Sequence, residues 1–182
     1  MKKQTTKYYV LLLLIAMFAA PGIAAYIFYQ HPDWLSAAKV NKGTLLNPPV
    51  LVKALEGQDK WRVVYWTPNA CDADCLKQLD TLARVRLALG RRLYQVDQWL
   101  ILGDKASSLS PDGQSTVKAL GFQVAHLSAE EVQAEDALFS KARVFLADPN
   151  SYLILSYPSL ANPDDVYKDL KLLLSTTENK NG

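Results

Sequence analysis

Cys71 and Cys75 are the only cysteines of the chain, and the step between them suits two kinds of chemistry. Two thiols one helical turn apart can exchange with a disulfide on another molecule, and two thiolates can hold a soft metal such as Cu(I). They lie in Thr67-Pro68-Asn69-Ala70-Cys71-Asp72-Ala73-Asp74-Cys75-Leu76-Lys77, directly after the apolar run Val63-Val64-Tyr65-Trp66. A strand end that leads into a helix start is a common place for reactive thiols, because the helix N-terminus favours a thiolate. Were both residues fully helical, their Cβ atoms would stand about 5–6 Å apart, beyond the roughly 3.5–4.5 Å that a disulfide spans. Oxidation therefore requires Cys71 to stay in the non-helical entry loop, whereas a bridging metal is less demanding. Asp72 and Asp74 oppose thiolate formation while the helix end favours it. The remaining reading is a permanent disulfide or a pair of inert buried thiols, although so short a loop gains little from closure entropy.

Few other residues compete as chemistry. The two histidines are His31 and His126; His126 reads first as a strand-end histidine bonded to backbone or solvent and second as a metal ligand, and His31 reads as an interfacial residue beside an apolar segment. Glu130-Glu131, Glu135-Asp136 and Asp164-Asp165 fall at predicted helix starts or turns, where carboxylates cap or stay solvated. Arg84, Arg86, Arg91 and Arg92 gather around the end of the cysteine helix, where cations complement its dipole. There is no glycine-rich phosphate loop, no Ser/His/Asp set and no His-Glu metal signature.

The elements that must position the cysteines alternate along the chain. A short strand is predicted at Val50 to Leu55, a turn at Gly57-Gln58-Asp59-Lys60, and a strand at Trp61 to Trp66. The cysteine helix then runs from Asp72 to about Leu89 with Leu76, Leu79, Leu82, Ala83 and Val85 on its apolar side, and Gly90 suits its C-cap. Strands at Gln98 to Leu102 and Gln123 to Leu127 flank a short helix at Gln114 to Leu120. Ser128 and Glu131 have the capping-box spacing and open another helix. Arg143 to Ala147 and Tyr152 to Tyr157, joined by Asp148-Pro149-Asn150-Ser151, read as a β-hairpin. Asn162 as N-cap, Pro163 at N1 and acids in the first turn start a last helix. βαβ units followed by a hairpin and a helix predict a thioredoxin-like α/β sandwich with a central mixed sheet.

With 182 residues, 49% of them hydrophobic and 21% charged, the chain has the size of one globular domain and an appendage. A net charge of +2 from 20 basic and 18 acidic residues leaves no basic face for nucleic acid. The appendage is N-terminal: Lys2, Lys3 and Lys7 precede an uncharged stretch from Tyr8 to Tyr29, and a hydrocarbon core of about 30 Å takes about 20 such residues as a helix. Tyr8, Tyr9, Tyr26 and Tyr29 fall near its ends, where such rings prefer the interface. Gly22, Ala24 and Ala25 resemble a signal-peptide cleavage region, but the apolar run exceeds a signal h-region and continues through Tyr26-Ile27-Phe28. The segment is therefore read as a membrane anchor, with Pro21-Gly22 tolerated inside it. The preceding lysines place the N-terminus in the cytoplasm and the rest in the periplasm of a bacterial cell, an oxidising compartment. The expected organisation is a cytoplasmic tail (1–7), a transmembrane helix (8–29), a juxtamembrane connector (30–49), an extracytoplasmic domain (50–175) and a disordered tail (176–182).

Val63 to Cys75, followed by a helix and later by Phe145-Leu146-Ala147-Asp148-Pro149-Asn150 with Tyr152, resembles the Sco/SenC family of membrane-anchored thioredoxin-like copper chaperones. Asn41-Lys42-Gly43-Thr44-Leu45-Leu46-Asn47-Pro48 and Asp148 to Pro158 are similar to small proteobacterial membrane proteins encoded beside oxidase assembly factors. The resemblance implies an inner-membrane protein acting in cytochrome c oxidase biogenesis, with an oxidase subunit or assembly factor as partner. Its chemistry would be Cu(I) handling, with copper held by Cys71 and Cys75, or thiol–disulfide exchange by the same pair. Two departures stand out. Sco proteins add a histidine about nine residues before the Asp-Pro proline, and that position here is Ser140. Thioredoxin-type oxidoreductases carry a cis-proline before the strand that faces the active site, and Ser140-Lys141-Ala142-Arg143 has none. The rival expectation is a non-catalytic membrane-anchored scaffold with a structural disulfide.

Overall fold

A computed structural model gives the structure of residues 2–31, 41–55, 57, 59–104, 106 and 109–178. Most of the expected connector, residues 32–40, and the end of the expected tail, residues 179–182, lie outside the described residues. The chain divides into two units, Met1–Val40 and Asn41–Gly182. The first contains helix α1 (Lys2–Gln30), with Pro21 inside it. Its Tyr8–Gln30 portion is long and apolar enough to cross a membrane and is wholly exposed.

The second unit is a mixed six-stranded sheet in the order β1-β6-β5-β2-β3-β4. Its strands are β1 (Thr44–Leu51), β2 (Trp61–Thr67), β3 (Val96–Gly103), β4 (Phe122–Leu127), β5 (Arg143–Ala147) and β6 (Tyr152–Pro158). β2, β3 and β4 run parallel, and β5, β6 and β1 add antiparallel pairings on the other side of β2. Helices α2 (Ala73–Ala88), α3 (Pro111–Ala119) and α6 (Pro163–Glu178) cover one face, where Leu79, Val117 and Leu170 pack with Val63, Leu100 and Leu146. The other face is covered by α4 (Ala129–Ala134), α5 (Asp136–Phe139) and a short 3-10 turn at Lys53–Leu55. There Val132, Phe139 and Leu55 meet Val64, Trp66 and Phe145. A strand covered on both faces must be apolar throughout rather than alternating, and in β2 every residue from Arg62 to Thr67 is buried.

The element order expected from the sequence is present, with three differences. The first strand lies at Thr44–Leu51 rather than Val50 to Leu55, so residues placed in the connector join the sheet, and Lys53–Leu55 is the 3-10 turn. Prolines lack a ladder donor and are tolerated on edge strands; β1 is such an edge, pairing only with β6, and its register shifts between Leu45 and Val50, where Pro48 and Pro49 fall. The short helix starts at Pro111 rather than Gln114, because the Ser110 hydroxyl accepts from the Gly113 N–H and Pro111 occupies the first turn. α6 continues through Glu178, into residues expected to be disordered.

The entry of the chain into this unit is fixed by one buried carboxylate. Asp169, 2% exposed, accepts from the Lys42 and Gly43 N–H groups, each at 2.8 Å, and from the Tyr157 hydroxyl at 2.6 Å. Gly43 permits this approach, since a Cβ there would stand 2.5 Å from the Tyr157 ring. Burial first, then the hydrogen bond to Asp169 and its charge, pushes the Tyr157 phenol far above its ordinary range.

Candidate functional site

The loop between β2 and α2 carries the two cysteines at the C-terminal end of the central strand. Within it the Thr67 hydroxyl donates to the Asn69 carbonyl at 3.1 Å and accepts from the Asn69 N–H at 3.3 Å, which turns the chain out of the sheet. Asp72 is the N-cap of α2, with extended backbone (φ −88°, ψ −170°), and its carboxylate accepts from the Cys75 N–H at 2.9 Å. The helix therefore begins at Ala73, one residue after the cap. Cys71 stays in the entry loop, and Cys75 stands in the first turn. That offset removes the geometric obstacle of two fully helical residues: Cys71 and Cys75 are joined by a disulfide with Cα atoms 5.2 Å apart.

The two sulfurs are not equivalent. Cys75 is 4% exposed and packs into the core under α2, whereas Cys71 is only partly buried. In thiol exchange the accessible sulfur is attacked and the shielded one leaves or returns, and Cys71 is the more accessible of the two. The helix N-terminus stabilises a thiolate on either residue, and the exposed carboxylates of Asp72 and Asp74 work against it. Their field reaches the buried Tyr65 below the loop: burial first, then Asp72 and Asp74, raises its phenol above the ordinary value.

The other residues singled out in the sequence are placed elsewhere. His126 lies on the edge strand β4, exposed, opposite Leu102 on β3, which in turn pairs with Thr67 on β2. Two strand spacings of about 4.8 Å thus separate the backbones of His126 and Thr67, and His126 borders a depression with Leu109, Val117 and Phe122 rather than the disulfide. His31 follows α1, in the other unit. Ser140, where the family resemblance called for a histidine, is an exposed serine after α5. Among the described residues no group of three His, Cys, Asp or Glu side chains is gathered to hold a metal. The pair lacks the histidine of the three-ligand copper set that the resemblance implies, since Ser140 occupies that position. Arg84 is engaged by Asp80 within α2, and Arg86 donates to the Val96 carbonyl, so these arginines serve the helix and its junction with β3.

Sequence reasoning missed what lies beside the loop. The Trp66 indole N–H donates to the Phe139 carbonyl at 3.0 Å, and the two rings pack edge to face with centroids 5.1 Å apart. This ties α5 to the last turns of β2. Gly103, at the end of β3, lies so close to the cysteine loop that a Cβ would meet the Pro68 carbonyl oxygen at 2.9 Å. A glycine at a strand end is the signal that could have announced this close backbone approach.

Comparison with known proteins agrees with the fold. The family model described as "Transmembrane-like, thioredoxin-like, C-terminal domain" matches residues 61–177. Among solved structures the chain is similar to apo Sco1 of Thermus thermophilus, at 21% identity over 73% of this chain and 96% of that one, with a TM-score of 0.54. It is also similar to yeast Sco1, at 12% identity over 65% of this chain and 82% of that one, with a TM-score of 0.51. A copper-bound ScoI of Arabidopsis thaliana aligns at 16% identity over 71% and 98% of the two chains, with a TM-score of 0.48. At these identities the likeness is one of fold, which is thioredoxin-like. No curated protein matches the chain.

Proposed function

We propose, from the premise that this chain belongs to the family of transmembrane-like, thioredoxin-like C-terminal domains, that it is a membrane-anchored thiol–disulfide exchange protein working through Cys71 and Cys75. The observation that carries the reading is the disulfide at the mouth of α2, with one sulfur accessible and the other buried. In the reducing direction, the Cys71 thiolate attacks one sulfur of a partner disulfide and the partner's other sulfur leaves as a thiolate. The Cys75 thiolate then attacks Cys71 in the mixed disulfide and releases the partner's second thiol. The partner gains two electrons, and the pair ends as the Cys71–Cys75 disulfide. A dithiol reductant must return the pair to its reduced state.

The anchor would be α1, with the domain in the periplasm as the lysines before the span imply. The motif resemblance to Sco/SenC proteins carries the choice of process, which is respiratory cytochrome c oxidase biogenesis, and the partner is a protein whose copper-site cysteines must be kept reduced. Reduced, the same thiols offer Cu(I) as cargo two soft donors on one helix end.

Cys75→Ser tests the exchange. Without the resolving thiol, Cys71 should hold partners as mixed disulfides that dithiothreitol releases from membranes of cells making the full-length variant, and Cys71→Ser should trap none. Equal adducts from both variants, or none from either, would refute it. Full-length protein, reduced, that takes up no Cu(I) at one equivalent would remove the cargo role.

A further inference from the structure

A cleft of about 280 Å³ opens beside the disulfide loop, on the face of the sheet covered by α4 and α5. Trp66, Pro68, Val132 and Phe139 supply its apolar lining, and Asp104 and Asp136 stand on it as carboxylates. It adjoins the cysteine loop because Gly103, which also lines it, admits the Pro68 backbone at a distance no side chain would permit. An occupant therefore touches the same loop that presents Cys71.

The size and chemistry of the cleft narrow the occupant. Small-molecule pockets run to about 300–1,000 Å³, so this one accommodates a side chain rather than a cofactor. Both carboxylates are exposed, and among the described residues neither pairs with a cation. Lys141, beside Ser140, is not part of the lining. A long side chain with an apolar stem and a cationic head matches this combination: the stem lies on the half-buried Pro68 and Val132, over the buried Trp66 and Phe139, and the head reaches the carboxylates. A glutamate would be repelled, and a neutral chain would gain only the apolar contact.

We propose that this cleft receives a lysine or arginine side chain of the polypeptide whose disulfide exchanges with Cys71 and Cys75, an inference that rests on the exchange reading of that pair. The cleft thereby selects basic partners and seats them with their sulfur near the loop. Bound heads are partly solvated, so the preference is moderate and falls with salt.

The test uses oxidised full-length protein in detergent micelles and thiol-free tetrapeptides, Gly-Lys-Ser-Gly with blocked ends and its norleucine and glutamate counterparts. The Trp66 indole N–H signal in NMR reports occupancy. The lysine peptide should bind about five- to tenfold more tightly than the norleucine peptide, the glutamate peptide more weakly than either, and 0.5 M salt should erase most of the difference. In the isosteric Asp104→Asn/Asp136→Asn double variant the lysine-to-norleucine ratio should fall to about one. Equal binding of all three peptides, no movement of the Trp66 signal, or a lysine preference that survives in the double variant would each overturn the proposal. A second arm offers reduced protein the disulfide-linked forms of the same peptides with cysteine in place of serine. Selective binding without any reduction would sink the exchange reading and leave the cation-binding cleft. Reduction at one rate for all peptides would sink the cleft as a selector and leave the exchange.

Discussion

Asp169, inside α6, and the Cys71–Cys75 disulfide, at the start of α2, sit in the same unit, and they are finished in opposite ways. Asp169 is closed: it is buried, it accepts from two backbone N–H groups and a phenol, and it fastens the first residues of the unit to α6. The disulfide is open. One sulfur is partly accessible, the exposed carboxylates of Asp72 and Asp74 lie between the two cysteines, and a cleft adjoins their loop. A buried charge that is fully satisfied holds the fold and reacts with nothing; a polar group left accessible beside unpaired charge keeps its options for a partner. The contrast sets a closed cluster against an accessible pair within one unit.

The sharpest way to break the comparison is at the closed cluster. Asp169→Ala leaves two backbone donors and the Tyr157 hydroxyl without an acceptor in a buried site, and the expected loss is about 3 kcal/mol. Denaturant unfolding of the full-length protein followed by tryptophan fluorescence should show it, while the redox behaviour of the cysteines stays as it was. The open site should matter less to stability. Closing a loop this short restricts the unfolded chain by about 2 kcal/mol at most on the chain-entropy account, so the Cys71→Ser/Cys75→Ser double variant should stay folded with a loss no larger than that; outright unfolding would make the disulfide a structural staple.

The smallest effect belongs to Tyr157→Phe. Asp169 keeps its two backbone donors, so the loss at neutral pH should be about 1 kcal/mol. The pH dependence is more telling. A phenol whose pKa is raised by folding keeps a proton that the unfolded chain gives up from about pH 10. The stability it confers is complete below that pH and declines as pH rises beyond it. Tyr65, also raised, contributes with the same sign. Unfolding free energies at pH 8 and pH 11 should therefore fall more steeply in the parent than in Tyr157→Phe, and parallel slopes would show that Tyr157 is not buried against Asp169.

Much of the frame was legible because it depends on local signals. The β-branched and aromatic run of β2, the Ser128/Glu131 capping box and the Asn162-Pro163 helix start all appear where the sequence placed them, the last with the Asn162 side chain accepting from Asp164. β1 was misplaced because prolines argue against a strand unless its outer edge is known to be free, and that depends on a pairing with β6 more than a hundred residues away. Asp169 reads as an ordinary solvated charge on an amphipathic helix; only the fold brings Lys42 and Gly43 to it. The same holds for Arg62, which the sequence shows only as a charge within a strand and which the structure buries with its guanidinium donating to the Asp148 carbonyl at 2.9 Å. The cysteines were visible as a pair, but their inequality was not, since it arises from where Asp72 caps the helix. The cleft joins residues from β2, β3, α4 and α5, a grouping that no spacing in the sequence announces.

The central claim is that the Cys71–Cys75 disulfide is a working one. Equilibrating the full-length protein in detergent with glutathione and dithiothreitol redox buffers, and counting free thiols by alkylation, tests it most directly. A reversible two-electron transition with a midpoint between about −270 and −120 mV is the predicted result. A pair that stays oxidised until below about −300 mV would contradict the account and leave a structural crosslink.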